Sequence, residues 1–354
     1  MKSTDPTRPR AALDPLGLYR CPRNRIALRA GPAGDTLAGL SAIYPVERGV
    51  PCFRRGAPEP EHGWVAELVE LARQDGWRAA VDRVCDPRGR RYVTHQERGR
   101  FLDLLPLRPE SVVLEVGASL GQITELLARR VAAVYALEVV PGQAEFAKLR
   151  CEGEGLDNVT LAVGGDDCAL PYADQGFDVV VLNLVLEWCA GRNPDEPPIA
   201  GQRRLLRECA RVLRPGGALW IATKNRFALR YVLGKADEHA SGLRFGNALP
   251  RPLLKALLRA RGDAARPTGV LHSHRALVGL LREAGFDRLT SYWATPDVRY
   301  PTHYVPTDPE AIRAARRDPS IPQGELRSDR LVMPWVPAPL VKHVTPGLAF
   351  LAEK

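Results

Sequence analysis

The sequence lacks any apolar stretch long enough to cross a membrane. Its longest nearly apolar run, residues 179–186, falls far short of the roughly 20 residues that a spanning helix needs. Residues 1–15 contain charges and prolines but no apolar core, so no secretory signal is expected. The seven cysteines include no Cys-x-x-Cys pair. This scatter favours reduced, buried thiols in a cytoplasmic protein over a disulfide framework.

Acidic residues are too few to balance the basic ones, and the net charge is +9. Only seven of the 50 basic residues are lysine, and the chain has 31 glycines and 31 prolines, which indicates a GC-rich coding bias more than a polyanion-binding site. The best local patch is 251–266, where five cations face one acid, Asp263. We interpret it as a solvated helix face or a patch for an anionic group, so nucleic acid is an unlikely partner.

The 354 residues fit two domains, or one large domain with insertions. Residues 1–14 are polar and proline-rich, and we predict that they form a disordered tail. Short strands and turns are expected in 15–57, and a helical connector in 58–107. From 108 to 354, apolar strands alternate with amphipathic helices, with insertions at 224–271 and 296–347. This alternation predicts an α/β fold whose sheet is covered by helices on both faces.

A glycine-containing turn follows the first strand of this region. The strand ends at Val116, and Gly117, Ser119 and Gly121 lead into a helix. Glycine allows the backbone to approach a ligand where a side chain would clash, and open α/β sheets bind ligands at the carboxyl ends of their strands. The segment therefore predicts a ligand site at this turn.

Acids follow the next two predicted strands. Glu138 lies 17 residues after Gly121, where a carboxylate can accept hydrogen bonds from ribose hydroxyls. Asp166 and Asp167 follow the third strand and can accept a hydrogen bond from the exocyclic amine of an adenine. Glu115 lies inside the first strand; its charge would repel a pyrophosphate but suits an ammonium group. An adenosyl cofactor with an ammonium and no phosphate, S-adenosylmethionine, is therefore favoured over a dinucleotide.

From about residue 95 onwards the sequence resembles the class I S-adenosylmethionine-dependent methyltransferases. The resemblance is carried by residues 113–124 (VLEVGASLGQIT), 165–172 (GDDCALPY), 177–183 (FDVVVLN) and 211–219 (RVLRPGGAL), together with Glu138. It implies a Rossmann-like sheet of seven strands, the last antiparallel and supplied by 348–353.

The same resemblance implies roles for individual residues. Glu115 and Gly117 would lie by the methionine part of S-adenosylmethionine, Glu138 by the ribose and Asp166 near the adenine. The remaining positions expected around the cofactor are Ser119, Gly121, Asp167 and Asn183. Ser119 stands where the family usually has a glycine, which raises the question of weaker cofactor affinity.

Two looser resemblances concern the rest of the chain. Residues 186–188, 223–226 and 234–239 are similar to a bacterial methyltransferase subgroup associated with polysaccharide and glycolipid biosynthesis. Residues 19–22, 44–46 and 49–53 resemble the small zinc-ribbon fold of an activator subunit of tRNA and protein methyltransferases. A structural zinc needs about four Cys or His ligands, and only Cys21 and Cys52 are in range. We therefore predict a degenerate ribbon that binds no metal.

Three functions are compatible with these features. The first is methyl transfer to a sugar, glycolipid or other small hydroxylated acceptor, which the basic stretch suggests is anionic. The alternatives are an RNA methyltransferase and a non-catalytic scaffold. A hydroxyl acceptor requires a general base, for which His239, Asp237 and Glu187 are the candidates.

Overall fold

The structure is a computed structural model that describes residues 16–56, 63–189, 196–197, 199–236, 242–262 and 269–354. It contains a small antiparallel sheet and a large mixed sheet. The small sheet has strands β1 (Arg29–Ala30), β2 (Thr36–Ala38), β3 (Ile43–Glu47) and β4 (Val50–Pro51). The large sheet has strands β5 (Val112–Val116), β6 (Ala133–Glu138), β7 (Val159–Val163), β8 (Phe177–Asn183), β9 (Leu213–Lys224), β10 (Arg288–Thr295), β11 (His303–Pro306) and β12 (Gly347–Glu353).

Helices precede, connect and follow the strands of the large sheet. The α-helices are α1 (Gly63–Asp75), α2 (Trp77–Val84), α3 (Pro87–Thr94), α4 (Gln122–Ala128), α5 (Pro141–Gly153), α6 (Ala200–Val212), α7 (Leu229–Val232), α8 (Arg251–Ala260), α9 (His274–Glu283), α10 (Pro309–Arg317), α11 (Arg327–Val332) and α12 (Val341–Val344). Short 3-10 helices lie at Gln96–Leu104, Leu186–Cys189, Gly246–Ala248, Met333–Trp335 and Ala338–Leu340.

The large sheet has the strand order β11-β10-β12-β9-β8-β5-β6-β7. Strands β5 to β9 pair in parallel, whereas β12 runs antiparallel to both β9 and β10. The predicted mixed α/β sheet is therefore confirmed, including the antiparallel strand at the chain end. The predicted count of seven was one too few, because the insertion at 296–347 contributes β11 to the outer edge.

The strand order places the ligand crevice. The chain runs from β5 outward through β6 to β7 and then returns to pair β8 with the other side of β5. The carboxyl ends of β5 and β8 therefore face a topological switch point, where connections leave in opposite directions. Strand β6 is buried along its whole length, as expected for a parallel strand covered on both faces.

The described part of the connector before β5 consists of three α-helices and a 3-10 helix. Helix α2 ends at Val84, and Asp86 starts α3 by accepting a hydrogen bond from the N–H of Gly89 at 2.6 Å. Proline suits the first turn of a helix because its missing N–H has no partner there anyway. The 3-10 helix Gln96–Leu104 follows α3, and its Phe101 stacks on Trp220 of β9 at 4.8 Å between ring centroids.

Residues 16–56, here called the N-terminal module, pack directly on the large sheet. The N–H of Phe53 donates to the carbonyl of Val163 at 2.7 Å, which extends the pairing beyond β7. Tyr19 stacks on Tyr172 with 5.5 Å between ring centroids. Cys21 shares a hydrogen bond of 3.1 Å with the Tyr44 hydroxyl. The likeness to a zinc ribbon remains a prediction.

The two insertions differ in their packing. Residues 296–347 form a small core with Trp293 of β10, to which they contribute Val305, Ile312, Met333 and Val341. In the other insertion, α8 buries only Leu258. Across the described ranges, no helix has the length and apolar character required to span a membrane.

Candidate active site

A cavity of about 530 Å³ opens at the carboxyl ends of β5, β6 and β8. Six of the residues singled out from the sequence line it: Glu115, Gly117, Ser119, Glu138, Asn183 and Glu187. The sheet topology brings them together from three separate segments of chain, 115–119, 138 and 183–187. We refer to this space as the cofactor cavity.

The turn after β5 has left-handed backbone at alternate residues. The φ angles are 80° at Gly117, 49° at Ser119 and 76° at Gly121. A Cβ atom at Gly117 would collide with Cγ2 of Val185, and one at Gly121 would lie 2.8 Å from Cβ of Ala147. Glycine is therefore required at both positions. The left-handed φ at Ser119 costs a residue with a side chain about 1–2 kcal/mol. This cost accounts for the glycine that the family usually has at this position.

Glu138 is fixed in orientation by backbone donors. One carboxylate oxygen accepts the N–H of Ser119 at 2.8 Å, and the other accepts those of Val139 at 2.8 Å and Val140 at 3.0 Å. This preorganised carboxylate is suited to binding a pair of hydroxyls.

Glu115 is a buried acid at the end of β5, with 2% of its surface exposed. Burial raises its pKa to about 8, and the nearby charge of Glu138 adds to this, whereas the Thr124 hydroxyl and Arg98 act in the opposite direction. Thr124 donates to the carboxylate at 2.5 Å. A cationic ligand group placed here would stabilise the ionised carboxylate.

Sequence inspection missed several charged and polar residues of the cavity. The cavity lining also includes Tyr92, Arg98, Gln143, Lys224 and Arg299. The Arg98 guanidinium lies 4.0 Å from the Tyr92 ring centroid and donates to the Tyr92 carbonyl at 3.2 Å. Arg98 lies in the connector, where no motif marks it. Its neighbours Glu97 and Arg100 are also charged, so no local signal distinguishes it.

Three predicted residues do not line the cavity. Gly121 starts α4 and packs against Ala147. The carboxylate of Asp166 accepts the N–H groups of Arg55 at 3.1 Å and Gly56 at 2.9 Å. Asp167 pairs with the Arg55 guanidinium at 2.8 Å. The N-terminal module packs on β7, so its last residues reach these two acids. Their predicted roles in binding the cofactor remain predictions.

The candidates for a general base fall into two groups. Glu187 is 1% exposed, lines the cofactor cavity and accepts a hydrogen bond from the Thr223 hydroxyl at 2.7 Å. Asp237 and His239 lie outside the described residues.

A second, polar cavity of about 310 Å³ adjoins the first. It shares Leu184, Lys224 and Arg299 with the cofactor cavity. Tyr231, Tyr300, Asp297 and Glu325 line it further. The buried Arg230 is anchored at its rim by Asp297 at 2.6 Å and Asp329 at 3.1 Å. We call this space the acceptor cavity.

Comparison with known proteins identifies the family. Residues 114–221 match the methyltransferase domain family. The malonyl-[acyl-carrier protein] O-methyltransferase of Halorhodospira halophila is 31% identical over 227 residues, which cover 54% of this chain and 70% of that protein. The demethylmenaquinone methyltransferase of Tropheryma whipplei strain Twist is 33% identical over 131 residues, 34% of this chain and 49% of that protein.

A third relative is much longer than its match. The biotin biosynthesis bifunctional protein BioHC of Cellvibrio japonicus is 35% identical over 125 residues, 35% of this chain, and the match spans only 22% of that protein. The extent of the Halorhodospira match nevertheless shows the family. With the sheet order and the glycine turn described above, it establishes that the chain belongs to the class I methyltransferases that use S-adenosylmethionine.

Proposed function

We propose that this methyltransferase methylates a hydroxyl group of a small polar acceptor, such as a sugar or a glycolipid head group. The acceptor cavity carries this proposal. It adjoins the cofactor cavity, and its lining combines charged side chains with two tyrosines, Tyr231 and Tyr300. Hydroxylated ligands are bound through such polar groups, with aromatic rings beside their apolar faces.

The cofactor cavity fits S-adenosylmethionine, which supplies a methyl group on an activated sulfonium when bound. Glu115 would bind its ammonium, since a buried carboxylate without a bound cation is destabilised. Glu138 would accept the two ribose hydroxyls. Arg98, with 8% of its surface exposed, would pair with the cofactor's carboxylate. Gly117 leaves the space in which the backbone can approach.

Glu187 would act on the acceptor. It lies in the cofactor cavity with Asn183 and Lys224, both at the ends of neighbouring strands. A hydroxyl becomes a good nucleophile when a positioned base accepts its proton during methyl transfer. The hydrogen bond from Thr223 would hold the Glu187 carboxylate in place, so that positioning supplies much of the rate.

A carboxylate acceptor is the second candidate. Lys224 and Arg299 lie where the two cavities meet, and cations at that point suit an anionic nucleophile. One of the relatives reported above is named as an O-methyltransferase of malonyl-acyl-carrier protein. A carboxylate is already ionised at neutral pH, so its methylation requires no general base.

Glu187→Gln separates the two candidates. Transfer of a labelled methyl group would be measured to glucose, glucose 6-phosphate and malonyl-pantetheine, with calorimetry of S-adenosylmethionine binding. For hydroxyl methylation we expect turnover to fall about 100-fold or more, with unchanged cofactor affinity. Methyl ester formation on malonyl-pantetheine that survives the substitution would support the carboxylate acceptor instead. The exposed Glu47→Gln is the matched control and leaves both activities unchanged.

A further inference from the structure

A third cavity, of about 570 Å³, lies beside α8. Helix α8 contributes one face to it, consisting of Arg251, Leu254, Lys255, Leu258 and Arg259. These positions are three or four residues apart, so they share one side of the helix. The cations form one row and the leucines a second row beside it. We call this space the α8 cavity.

Two arginines come close together at one end of the α8 cavity. Arg226 donates to the carbonyls of Asn247 at 2.9 Å and Leu249 at 2.6 Å, and Arg251 donates to that of Leu271 at 3.0 Å. Partial burial lowers the pKa of both arginines, and the charge of Arg251 lowers that of Arg226 further. Within the described residues neither arginine forms an ion pair with a carboxylate. The site therefore has two mutually repelling cations held by neutral carbonyls.

Asn247 provides an independent observation at the same place. It is 6% exposed, and its side-chain Nδ2 has no hydrogen-bond partner within the described structure. Buried polar groups normally have partners, because an unpaired one retains its full desolvation penalty. Asn247 lines the cavity together with both arginines. An anion with several oxygen atoms, bound between the two arginines, would accept a hydrogen bond from this Nδ2 group.

Apart from Lys255 and Arg259, the rest of the lining is apolar or glycine. Ile199, Leu254, Leu258, Val270 and Leu271 contribute hydrocarbon surface. An inorganic anion would fill only the charged end, and a neutral lipid would leave the two arginines without a counter-charge. A ligand with both an anionic head and an alkyl chain satisfies both ends of the cavity.

We propose that the α8 cavity binds a single-chain amphiphile through its phosphate or carboxylate head. The head lies between Arg226, Arg251 and Asn247, and the chain lies along Leu254 and Leu258. This site is separate from the cofactor cavity, although the N–H of Val270 in its wall donates to the carbonyl of Glu187 at 3.0 Å. The proposal goes beyond methyl transfer and holds whichever acceptor the enzyme uses.

Calorimetric titration of the full-length protein with monomeric decyl phosphate tests the site. Decanoate, inorganic phosphate and decyl glucoside serve as comparison ligands, all below their micelle-forming concentrations. We expect decyl phosphate or decanoate to bind at least tenfold more tightly than inorganic phosphate and decyl glucoside, with affinity falling as salt is added. Tighter decyl phosphate would indicate a phosphate head, and tighter decanoate a carboxylate head.

Substitutions then locate the binding. Arg251→Gln combined with Lys255→Gln should weaken the binding of decyl phosphate at least tenfold. Leu254→Gln should also weaken the binding of decyl phosphate, without changing that of inorganic phosphate. The exposed Arg313→Gln combined with Arg317→Gln on α10 is the charge-matched control. Unchanged affinity in both cavity variants would overturn the proposal. Binding to anionic vesicles without binding of monomeric decyl phosphate would also overturn it and assign the cations to a membrane surface. Because S-adenosylmethionine binding is recorded on the same samples, failure of this proposal stays distinct from failure of the proposed function.

Discussion

Glu115→Gln separates the energetic cost of the buried acid from its role in binding. The pKa of Glu115 is raised from 4.5 to about 8 by burial, so the folded protein holds a proton that the unfolded chain releases above pH 4.5. Its contribution to stability is therefore complete below pH 4.5 and is lost as the pH rises towards 8. At pH 7, which is about 2.5 pH units above the ordinary pKa of 4.5, the free energy of unfolding is lower by about 3 kcal/mol for this reason. Glutamine keeps the shape and does not titrate.

Without bound S-adenosylmethionine, the Glu115→Gln variant should therefore be more stable than the wild type at pH 7, by up to about 3 kcal/mol. It should also lack the decline of stability between pH 5 and 8. Cofactor binding should change in the opposite direction. A hydrogen bond between charged partners contributes about 1.5–3 kcal/mol, so S-adenosylmethionine affinity should fall about 10- to 100-fold. Misfolding would lower both quantities, so opposite changes identify the specific effect.

The assay is urea unfolding at pH 5, 6, 7 and 8, with calorimetry of S-adenosylmethionine at each pH. For the wild type, affinity should rise between pH 6 and 8, because binding requires the ionised carboxylate. The exposed Glu47→Gln should reproduce the wild-type curves. A Glu115→Gln variant that keeps the wild-type pH dependence of stability would refute the assignment of the raised pKa to Glu115.

Three further predictions concern the turn, the core and a buried histidine. Gly117→Ala should abolish measurable S-adenosylmethionine binding and lower the melting temperature, because its Cβ collides with Val185 and the φ of 80° is unfavourable; calorimetry and a thermal scan check this. Phe101→Ala should destabilise the protein by about 3–5 kcal/mol in urea unfolding, since it removes the ring stacked on Trp220, whereas Phe101→Leu should cost less. His272 is buried beside Arg251, and burial together with the nearby arginines lowers its pKa to about 4. Its contribution to stability is present above pH 6.5 and is lost as the pH falls towards 4. In urea unfolding, the His272→Gln variant should therefore lose less unfolding free energy between pH 6.5 and 4 than the wild type.

The sequence predicted the parts of the fold that depend on local pattern. Apolar runs alternating with amphipathic segments predicted the parallel strands, and the glycine turn placed Glu115, Gly117 and Glu138 in one cavity. These predictions are correct because the carboxyl ends of the strands of a parallel sheet lie at the same edge. The cofactor type followed from the charge of Glu115.

What sequence inspection missed depends on contacts between distant segments. Arg98 enters the cavity because the connector packs on the sheet through Phe101, and no local pattern encodes that packing. Asp166 is paired with backbone from a segment about 110 residues earlier. Strand β11 is only four residues long, so its alternation is too short to recognise.

The N-terminal module sets the boundary of the cooperative folding unit. The matched family segment, 114–221, leaves out Tyr19 and Phe53, both of which are buried in the same core as Tyr172 and Phe177 of the large sheet. A shortened chain beginning after residue 62 would lack Tyr19 and Phe53, expose Tyr172 and Phe177, and uncover the edge of β7, a strand edge on which other chains can pair. We therefore predict that the module and the large sheet unfold in a single transition.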